Sequence, residues 1–304
     1  MNSLYPFNET SLERRELLRR FSASAAALGL PAAYAQSVPF KKPALKVGLA
    51  MGAGSARGFA HIGVLKSLDQ AGIKADMIAG ASAGALAGIF YAAGFTPWQM
   101  EEVALKVRDV DVADFSTASK RGMFAGEALQ KLVNEYCRGA KLEQLKLPYA
   151  AIATNLKTGD SAMLRLGDAG MAVRASCSIP GVFVPAVIDG QELVDGGLTS
   201  PLPVKEVRSL GADFVIAIDV GSKPQNNTSA GLYEVLLQSF EIMGRALTNA
   251  AASTADIVIR PDTVRYSSTD FSARKDIIQA GYEATQKMLP QIMAKLGEKA
   301  LKKK

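Results

Sequence analysis

The sequence has few of the residues on which metal sites and disulfide scaffolds depend. It contains two cysteines and one histidine in 304 residues. Two cysteines exclude a disulfide-rich scaffold and a zinc finger with four cysteine ligands. A single histidine excludes H-E-x-x-H metalloproteases and other histidine-rich metal sites. It also leaves only one candidate base for any Ser-His-Asp arrangement.

The chain also lacks a strong charge excess and a long apolar run. Its 35 basic and 29 acidic residues give a net charge of +6, which is too small and too scattered to predict nucleic-acid binding. A hydrophobic content of 48% excludes a disordered chain. No run reaches the ~20 apolar residues that span a bilayer.

The amino-terminal segment has the features of an export signal. Paired arginines, Arg14-Arg15, precede the small and weakly apolar residues 21–33, and Ala33-Tyr34-Ala35 resembles a cleavage site. The arginine pair resembles a twin-arginine signal. We predict a signal peptide over residues 1–35, a linker over 36–44, and a periplasmic or secreted protein. The alternative is an amphipathic helix in a cytoplasmic, membrane-associated protein.

The rest of the chain alternates between predicted strands and helices. This alternation favours one α/β domain with a mostly parallel sheet covered by helices on both faces. Residues 221–230 are predicted to form a polar surface loop. The predicted strands cover residues 45–51, 76–79, 149–155, 161–165, 192–194, 214–220 and 257–260. The predicted helices cover residues 59–70 and the segment after residue 84 up to residue 93. Further helices are predicted to begin at residues 96–97 and to lie around residues 169, 203, 232 and 273.

A glycine-rich turn over residues 52–58 follows the first predicted strand. It does not match a Rossmann G-x-G-x-x-G motif, whose last position is Arg57 here, and it lacks the P-loop motif. A row of backbone amides at a helix start remains, which suits an oxyanion, with Arg57 adding positive potential or bracing the loop. The alternative is a tight connection whose glycines serve only packing.

The segment Gly80-Ala81-Ser82-Ala83-Gly84 is a G-x-S-x-G motif between a predicted strand and a helix. The glycines permit the sharp turn that exposes a nucleophilic serine above a sheet, where the following amide can donate to an oxyanion. Together with the anion-binding turn upstream, this context predicts Ser82 as a nucleophile.

A nucleophilic serine needs a base, and a carboxylate is the better candidate here. His61 precedes Ser82, which excludes the Ser, acid, His order of the α/β-hydrolases, so we expect a structural role for His61 on a partly buried helix face. Asp195 follows a short apolar strand, and burial can raise its pKa toward the working range. Asp189, in a second Asp-Gly pair, is predicted to form only a turn.

Several motifs in order resemble the patatin-like phospholipases, in particular the compact bacterial members. They are Gly52-x-Gly54-x-x-Arg57-Gly58 followed by residues 61–65, Gly80-x-Ser82-x-Gly84, Ser176-x-Ser178-x-Pro180 with Phe183, and Asp195-Gly196-Gly197. The resemblance implies a three-layer α/β/α fold with a mostly parallel central sheet. It also implies a Ser82–Asp195 dyad, an oxyanion hole formed by the amides of Gly54, Ser55 and Ala56, and no metal or cofactor.

The resemblance covers residues 45–220, which are the predicted catalytic core. Residues 221–304 are predicted to complete the same domain and to end in a basic helix. Ala53 and Ser55 stand where many members have glycine, so the loop requires dihedral angles that these residues can adopt. Residues 176–180 are predicted to form a wall of the site. The expected supporting residues are Gly52, Arg57, Gly58, Gly80, Gly84, Gly196 and Gly197.

Three functions are compatible with these residues. The first is a serine hydrolase of phospholipids or other lipid acyl esters, the second an acyl transferase with the same acyl-enzyme, and the third a non-catalytic regulatory member. Intact Ser82, Asp195 and Arg57 favour an enzyme. The basic carboxyl-terminal helix predicts either peripheral contact with anionic lipid headgroups or a solvated, frayed helix. Cys137 and Cys177 form either a disulfide or free thiols.

Overall fold

The computed structural model describes residues 45–117, 119–221 and 231–303, which all belong to one compact unit over residues 42–304. The predicted signal peptide and linker lie outside the described residues, as does most of the predicted loop over 221–230. The domain boundaries at residues 35, 44 and 220 and the export of the protein therefore stay predictions.

Strands and helices alternate through most of the described chain, as the apolar pattern predicts. The strands are β1 Val47–Met51, β2 Met77–Ala81, β3 Gly122–Phe124, β4 Tyr149–Asn155, β5 Ser161–Leu164, β6 Gly181–Phe183, β7 Ala186–Ile188, β8 Gln191–Asp195, β9 Phe214–Ile218 and β10 Ile257–Ile259. The α-helices are α1 Ala60–Gln70, α2 Ala83–Ala93, α3 Pro97–Lys106, α4 Glu127–Tyr136, α5 Ala169–Ser176, α6 Val204–Ser209, α7 Leu232–Ala252 and α8 Arg274–Lys302.

The central sheet has the order β10-β9-β1-β2-β4-β8-β7, and β5 also pairs with β4. The pairs from β10 to β4 are parallel, whereas β5, β7 and β8 pair in antiparallel fashion. This confirms the predicted mostly parallel sheet. Met51 at the end of β1 pairs with Gly80 near the end of β2. The glycine-rich turn and the serine turn therefore leave the sheet side by side, at the carboxyl ends of these parallel strands.

Helices cover both faces of the sheet, which confirms the predicted three-layer α/β/α fold. The larger side chains of the strands, such as Leu49 and Ile216, pack with α1, α2 and α8. Small residues such as Ala79 and Ala217 point to the opposite face, where α6 and the end of α7 cover them. The sheet side chains thus alternate between two cores because successive strand residues point to opposite faces.

The carboxyl-terminal helix α8 packs against α1, which corrects the expectation of a solvated, frayed tail. Ile292 and Leu296 of α8 are buried in the core. Lys299 donates a hydrogen bond of 2.6 Å to Asp256, so this lysine is bound within the fold rather than free for lipid headgroups. The predicted amphipathic pattern is correct, but its apolar side faces the protein core.

Candidate active site

The glycine-rich turn is held by the strands and loops around it. The Gly52 amide donates to the Ile218 carbonyl at 3.0 Å, and the Ala53 amide donates to the Pro201 carbonyl at 2.9 Å. A 3₁₀ helix over Ser55–Phe59 then leads into α1. These bonds fix the turn against β9 and against the segment that follows β8.

Two of the three predicted oxyanion donors are available. The amides of Gly54 and Ser55 have no hydrogen-bond partner within the described parts of the chain, and both residues line a cavity that also contains Ser82. The prediction for Ala56 is wrong for this structure, because its amide donates to the Ser268 carbonyl at 3.0 Å. The candidate oxyanion hole therefore has the Gly54 and Ser55 amides as its donors.

The turn depends on close approaches and on one strained residue. Ser55 has a φ of 49°, in the left-handed region that glycine adopts more easily. A Cβ at Gly54 would lie 2.7 Å from Val220 Cγ2, and one at Gly58 would lie 2.3 Å from Ala83 Cβ. Glycine at position 58 thus brings the turn directly onto the start of α2, next to Ser82.

Ser82 occupies the sharp turn between β2 and α2. Its φ of 51° and ψ of −121° are unusual for a non-glycine residue and are typical of a nucleophile held at a strained strand-to-helix turn. A Cβ at Gly84 would lie 2.1 Å from the Met51 carbonyl oxygen, which explains the glycine at this end of the motif. The Ser82 amide donates to Ser176 Oγ at 3.0 Å.

Asp195 ends β8 and is held by its backbone on both sides. Its amide donates to the Ser178 carbonyl at 2.9 Å, and Thr154 Oγ1 donates to its carbonyl at 2.9 Å. A Cβ at Gly196 would lie 2.0 Å from the Ile152 carbonyl oxygen, so only glycine fits after the aspartate. The Ser176–Ser178 segment thus positions both candidate catalytic residues.

The Asp195 carboxyl group is buried and only partly satisfied. Oδ1 accepts the Gly197 amide at 2.7 Å, whereas Oδ2 meets no partner at full hydrogen-bond geometry among the described residues. Burial raises the pKa of Asp195 to about 6, although the nearby Ser82 hydroxyl and the Gly197 amide lower it. The serine hydroxyl therefore lies near a buried carboxyl group with one unsatisfied oxygen, and contacts of this kind often tighten only with substrate bound.

His61 is fully buried and supports the glycine-rich turn, in agreement with its expected structural role. Its Nε2 lies 2.8 Å from the Gly52 carbonyl oxygen. Burial lowers the pKa of His61 to about 4, and the Gly52 carbonyl only partly opposes this. The imidazole is therefore neutral at pH 7, and Nε2 is the protonated nitrogen because a carbonyl can only accept.

Arg57 ties the glycine-rich turn to helix α7, which is consistent with the bracing role considered from the sequence. Its buried side chain forms an ion pair with Glu241 on α7. Glu241 and Arg245 of α7 line the same cavity of about 110 Å³ as Ser82 and Asp195. Sequence reasoning missed both α7 residues because no motif surrounds them and Glu241 is 184 positions from Arg57.

The predicted wall over residues 176–180 contributes Ile179 and Pro180 to the cavity. Cys177, within the same segment, lies beside Ser82 and Asp195, and burial together with the Asp195 charge raises the pKa of its thiol well above the usual range. Cys137 and Cys177 are free thiols. Within residues 45–117, 119–221 and 231–303, no group of His, Cys, Asp and Glu is arranged to hold a metal ion, and no helix is long and apolar enough to cross a membrane.

Comparisons with known proteins identify the family of the chain. Residues 49–208 match the family described as patatin-like phospholipase. An uncharacterised NTE-family protein of Mycobacterium tuberculosis is 36% identical over 193 residues, which cover 61% of this chain and 51% of the relative. Human patatin-like phospholipase domain-containing protein 6 is 34% identical over 230 residues, covering 73% of this chain and 16% of the relative.

A third relative, lysophospholipase NTE1 of Chaetomium globosum, is 28% identical over 282 residues, covering 83% of this chain and 18% of the relative. The chain thus spans about half the length of the mycobacterial relative and under a fifth of the other two. The family match covers more than half of the chain and includes both the serine turn and the aspartate. The chain belongs to the patatin-like phospholipase family.

Proposed function

We propose that this protein hydrolyses the acyl esters of phospholipids or lysophospholipids, with Ser82 as nucleophile and Asp195 as general base. One observation carries the proposal: a serine in a strained turn lies beside a buried carboxyl oxygen that has no partner at full hydrogen-bond geometry among the described residues. The family description and the name of the Chaetomium relative, lysophospholipase, support a lipid ester as the substrate.

The acylation step uses both residues in one proton transfer. Asp195 Oδ2 accepts the hydroxyl proton while Ser82 Oγ forms a bond to the acyl carbonyl carbon, and the carbonyl electron pair moves onto oxygen. The Gly54 and Ser55 amides donate to this oxyanion, where the loss of one donor costs roughly 10²–10³-fold in rate. The ester C–O bond then breaks, and Asp195 returns the proton to the leaving alcohol.

Water completes the cycle by the same route. Asp195 accepts a proton from the water molecule as its oxygen attacks the acyl-enzyme carbonyl. The bond to Ser82 Oγ then breaks, and the serine recovers its proton from Asp195 while the fatty acid leaves. His61 takes no part because it is fully buried and does not line the cavity that contains Ser82 and Asp195.

Replacing the nucleophile tests the proposal. We expect Ser82→Ala to reduce fatty-acid release from lysophosphatidylcholine and from a soluble short-chain ester by about 10³-fold or more. Ser209→Ala on α6 is the matched control, because its exposed hydroxyl contacts only the Glu206 carbonyl and Met163 Sδ and does not line the cavity, and it should keep full activity.

Analysis of the products separates the other candidate functions. Transfer of the acyl group to an added alcohol in preference to water would identify an acyl transferase. Equal release by wild type and Ser82→Ala would assign the chemistry to another residue. A folded wild-type protein that releases no fatty acid from either ester would contradict the proposed function.

A further inference from the structure

Helix α7 carries its apolar side chains on the outside. A helix on the surface of a water-soluble domain normally turns its apolar stripe to the core and its polar face to solvent. The described outward-facing residues between positions 235 and 250 carry no charge at all. The exposed apolar residues are Val235, Leu236, Ile242, Met243 and Leu247, with exposed fractions from 36% to 60%.

The inner side of the same helix carries its two described charged residues, together with Phe240, Gly244 and Thr248. Glu241 bonds Arg57 of the glycine-rich turn, and Arg245 lies 3.4 Å from the buried carboxylate of Asp219. Gly244, between them, comes close to Pro201 without tight packing. The polarity of this described part of α7 is therefore inverted, since Glu241 and Arg245 face the protein and the exposed aliphatic side chains face solvent.

The apolar stripe continues onto a neighbouring element at the mouth of the site. Leu236 approaches Gly181 of β6, where an added Cβ would lie 3.7 Å from Leu236 Cδ1. Strand β6 pairs with β3 in a small separate sheet. Next to this sheet Phe115 is 77% exposed, and its ring lies 5.0 Å from that of Phe124. The outer surface of α7 and this sheet thus form one apolar rim.

The cavity beneath α7 is too small for a lipid. Its volume of about 110 Å³ is below the ~300–1,000 Å³ typical of sites that enclose a ligand. Phe240, Glu241, Arg245 and Thr248 of α7 form part of its lining. Entry of an acyl chain next to Ser82 therefore requires the lining to open, and α7 is the outermost helix that contributes to it. An outward movement of α7 would separate Glu241 from Arg57, and water could then hydrate both charged groups.

We propose that the outer stripe of α7, together with Phe115, docks on the surface of a lipid aggregate, where α7 moves away from the cavity. The choice of partner rests on the proposed function, since the cavity that takes the lipid ester opens under this helix. An uncharged apolar stripe suits burial at the boundary between headgroups and acyl chains. A second copy of the chain fits less well. Five side chains that are each about half exposed make a stripe on the order of 500 Å², which is smaller than the ~800 Å² that each partner buries in a stable complex.

A binding assay on a catalytically silent background tests the docking surface. We compare the full chain carrying Ser82→Ala with the same chain also carrying Ile242→Gln and Met243→Gln, by co-sedimentation with phosphatidylcholine vesicles. We expect the added changes to weaken vesicle partitioning at least tenfold. Leu301→Gln is the matched control, because Leu301 is 71% exposed on α8 and outside the rim, and it should leave partitioning unchanged.

A second readout uses active protein. Ile242→Gln with Met243→Gln should lower the ratio of vesicle to soluble-ester hydrolysis at least tenfold, with a thermal melt confirming that the protein is folded. Vesicle partitioning that is absent in the Ser82→Ala chain, or unchanged by the two substitutions, overturns the docking surface. A dimer that these substitutions dissociate also overturns it, in favour of a second copy. Vesicle binding without any ester hydrolysis supports docking and contradicts only the proposed function.

Discussion

Burial shifts the pKa values of Asp195 and His61 in opposite directions. Desolvation disfavours the charged form of each group, so it raises the pKa of Asp195 to about 6 and lowers that of His61 to about 4. A carboxylate with a raised pKa is a stronger base than an exposed one. A neutral imidazole, in contrast, serves as a fixed donor to the Gly52 carbonyl.

The raised pKa of Asp195 predicts a pH profile for catalysis. Only the ionised carboxylate accepts the serine proton, so kcat/KM should rise with pH and reach half of its plateau near pH 6. The measurement is hydrolysis of a soluble short-chain ester between about pH 5 and 8. Asp195→Asn should remove both the activity and the step in the profile.

Asp189→Asn is the control for this profile, because Asp189 occupies a turn with a φ of 50° that asparagine also tolerates. It should keep the wild-type rate and midpoint. The assay stays above about pH 5 because the His61 contribution to stability is present above pH 6.5 and is lost as pH falls toward 4. A wild-type rate that is flat through pH 6 would contradict the role of Asp195.

At the scale of elements, glycines determine how closely α8 approaches α1. A Cβ at Gly281 would lie 2.0 Å from the Ala60 carbonyl oxygen, and one at Gly63 would lie 1.8 Å from the Ile278 carbonyl oxygen. This contact also supports the start of α1, which carries His61. Gly297, on the same helix, has nothing within 4 Å of its Cβ position.

Alanine at these two glycines of α8 should have opposite effects. Gly281→Ala forces the helices apart and should destabilise the protein by about 2 kcal/mol. Gly297→Ala meets open space, so its better helix propensity should raise the unfolding free energy by up to ~1 kcal/mol. Urea unfolding curves of the two variants check this expectation, and similar shifts for both would show that the close approach does not matter.

Helix α7 also shows that the apolar pattern of a segment predicts a helix but not which side of that helix faces the core. Its sequence predicts a helix, and the helix is present over Leu232–Ala252. The pattern alone would place Ile242 and Met243 in a core, whereas both are exposed. The ion pair between Arg57 and Glu241 instead turns the polar side of the helix toward the site.

At the scale of the whole molecule, the carboxyl-terminal third completes the fold around the site. Strand β10 extends the sheet beyond β9, and α8 covers the face that contains Leu49. Helix α7 lines the cavity from outside the sheet. The predicted region of family resemblance ends at residue 220, but the buried core continues beyond it.

A chain that ends at Val220 should therefore fail to fold. The loss of α8 removes the buried side chains of Ile277, Ile278, Ile292 and Leu296, together worth on the order of 6–12 kcal/mol, which is comparable with the stability of a whole domain. Circular dichroism and urea unfolding of the truncated chain test this. A soluble fragment with a cooperative transition would instead mark residues 45–220 as an independent domain.

The sequence by itself determined the fold class and the family and predicted Ser82 and Asp195 as the centre of the candidate site, because these depend on local requirements. A strained turn needs the glycines around Ser82, and the strand-helix alternation can be recognised from apolar periods. Only the tertiary structure decided that Ala56 uses its amide on Ser268, that Glu241 braces Arg57, and that α8 buries its apolar side. These features are contacts between residues distant in the chain, and no local pattern specifies which distant group a buried donor or an apolar face will meet.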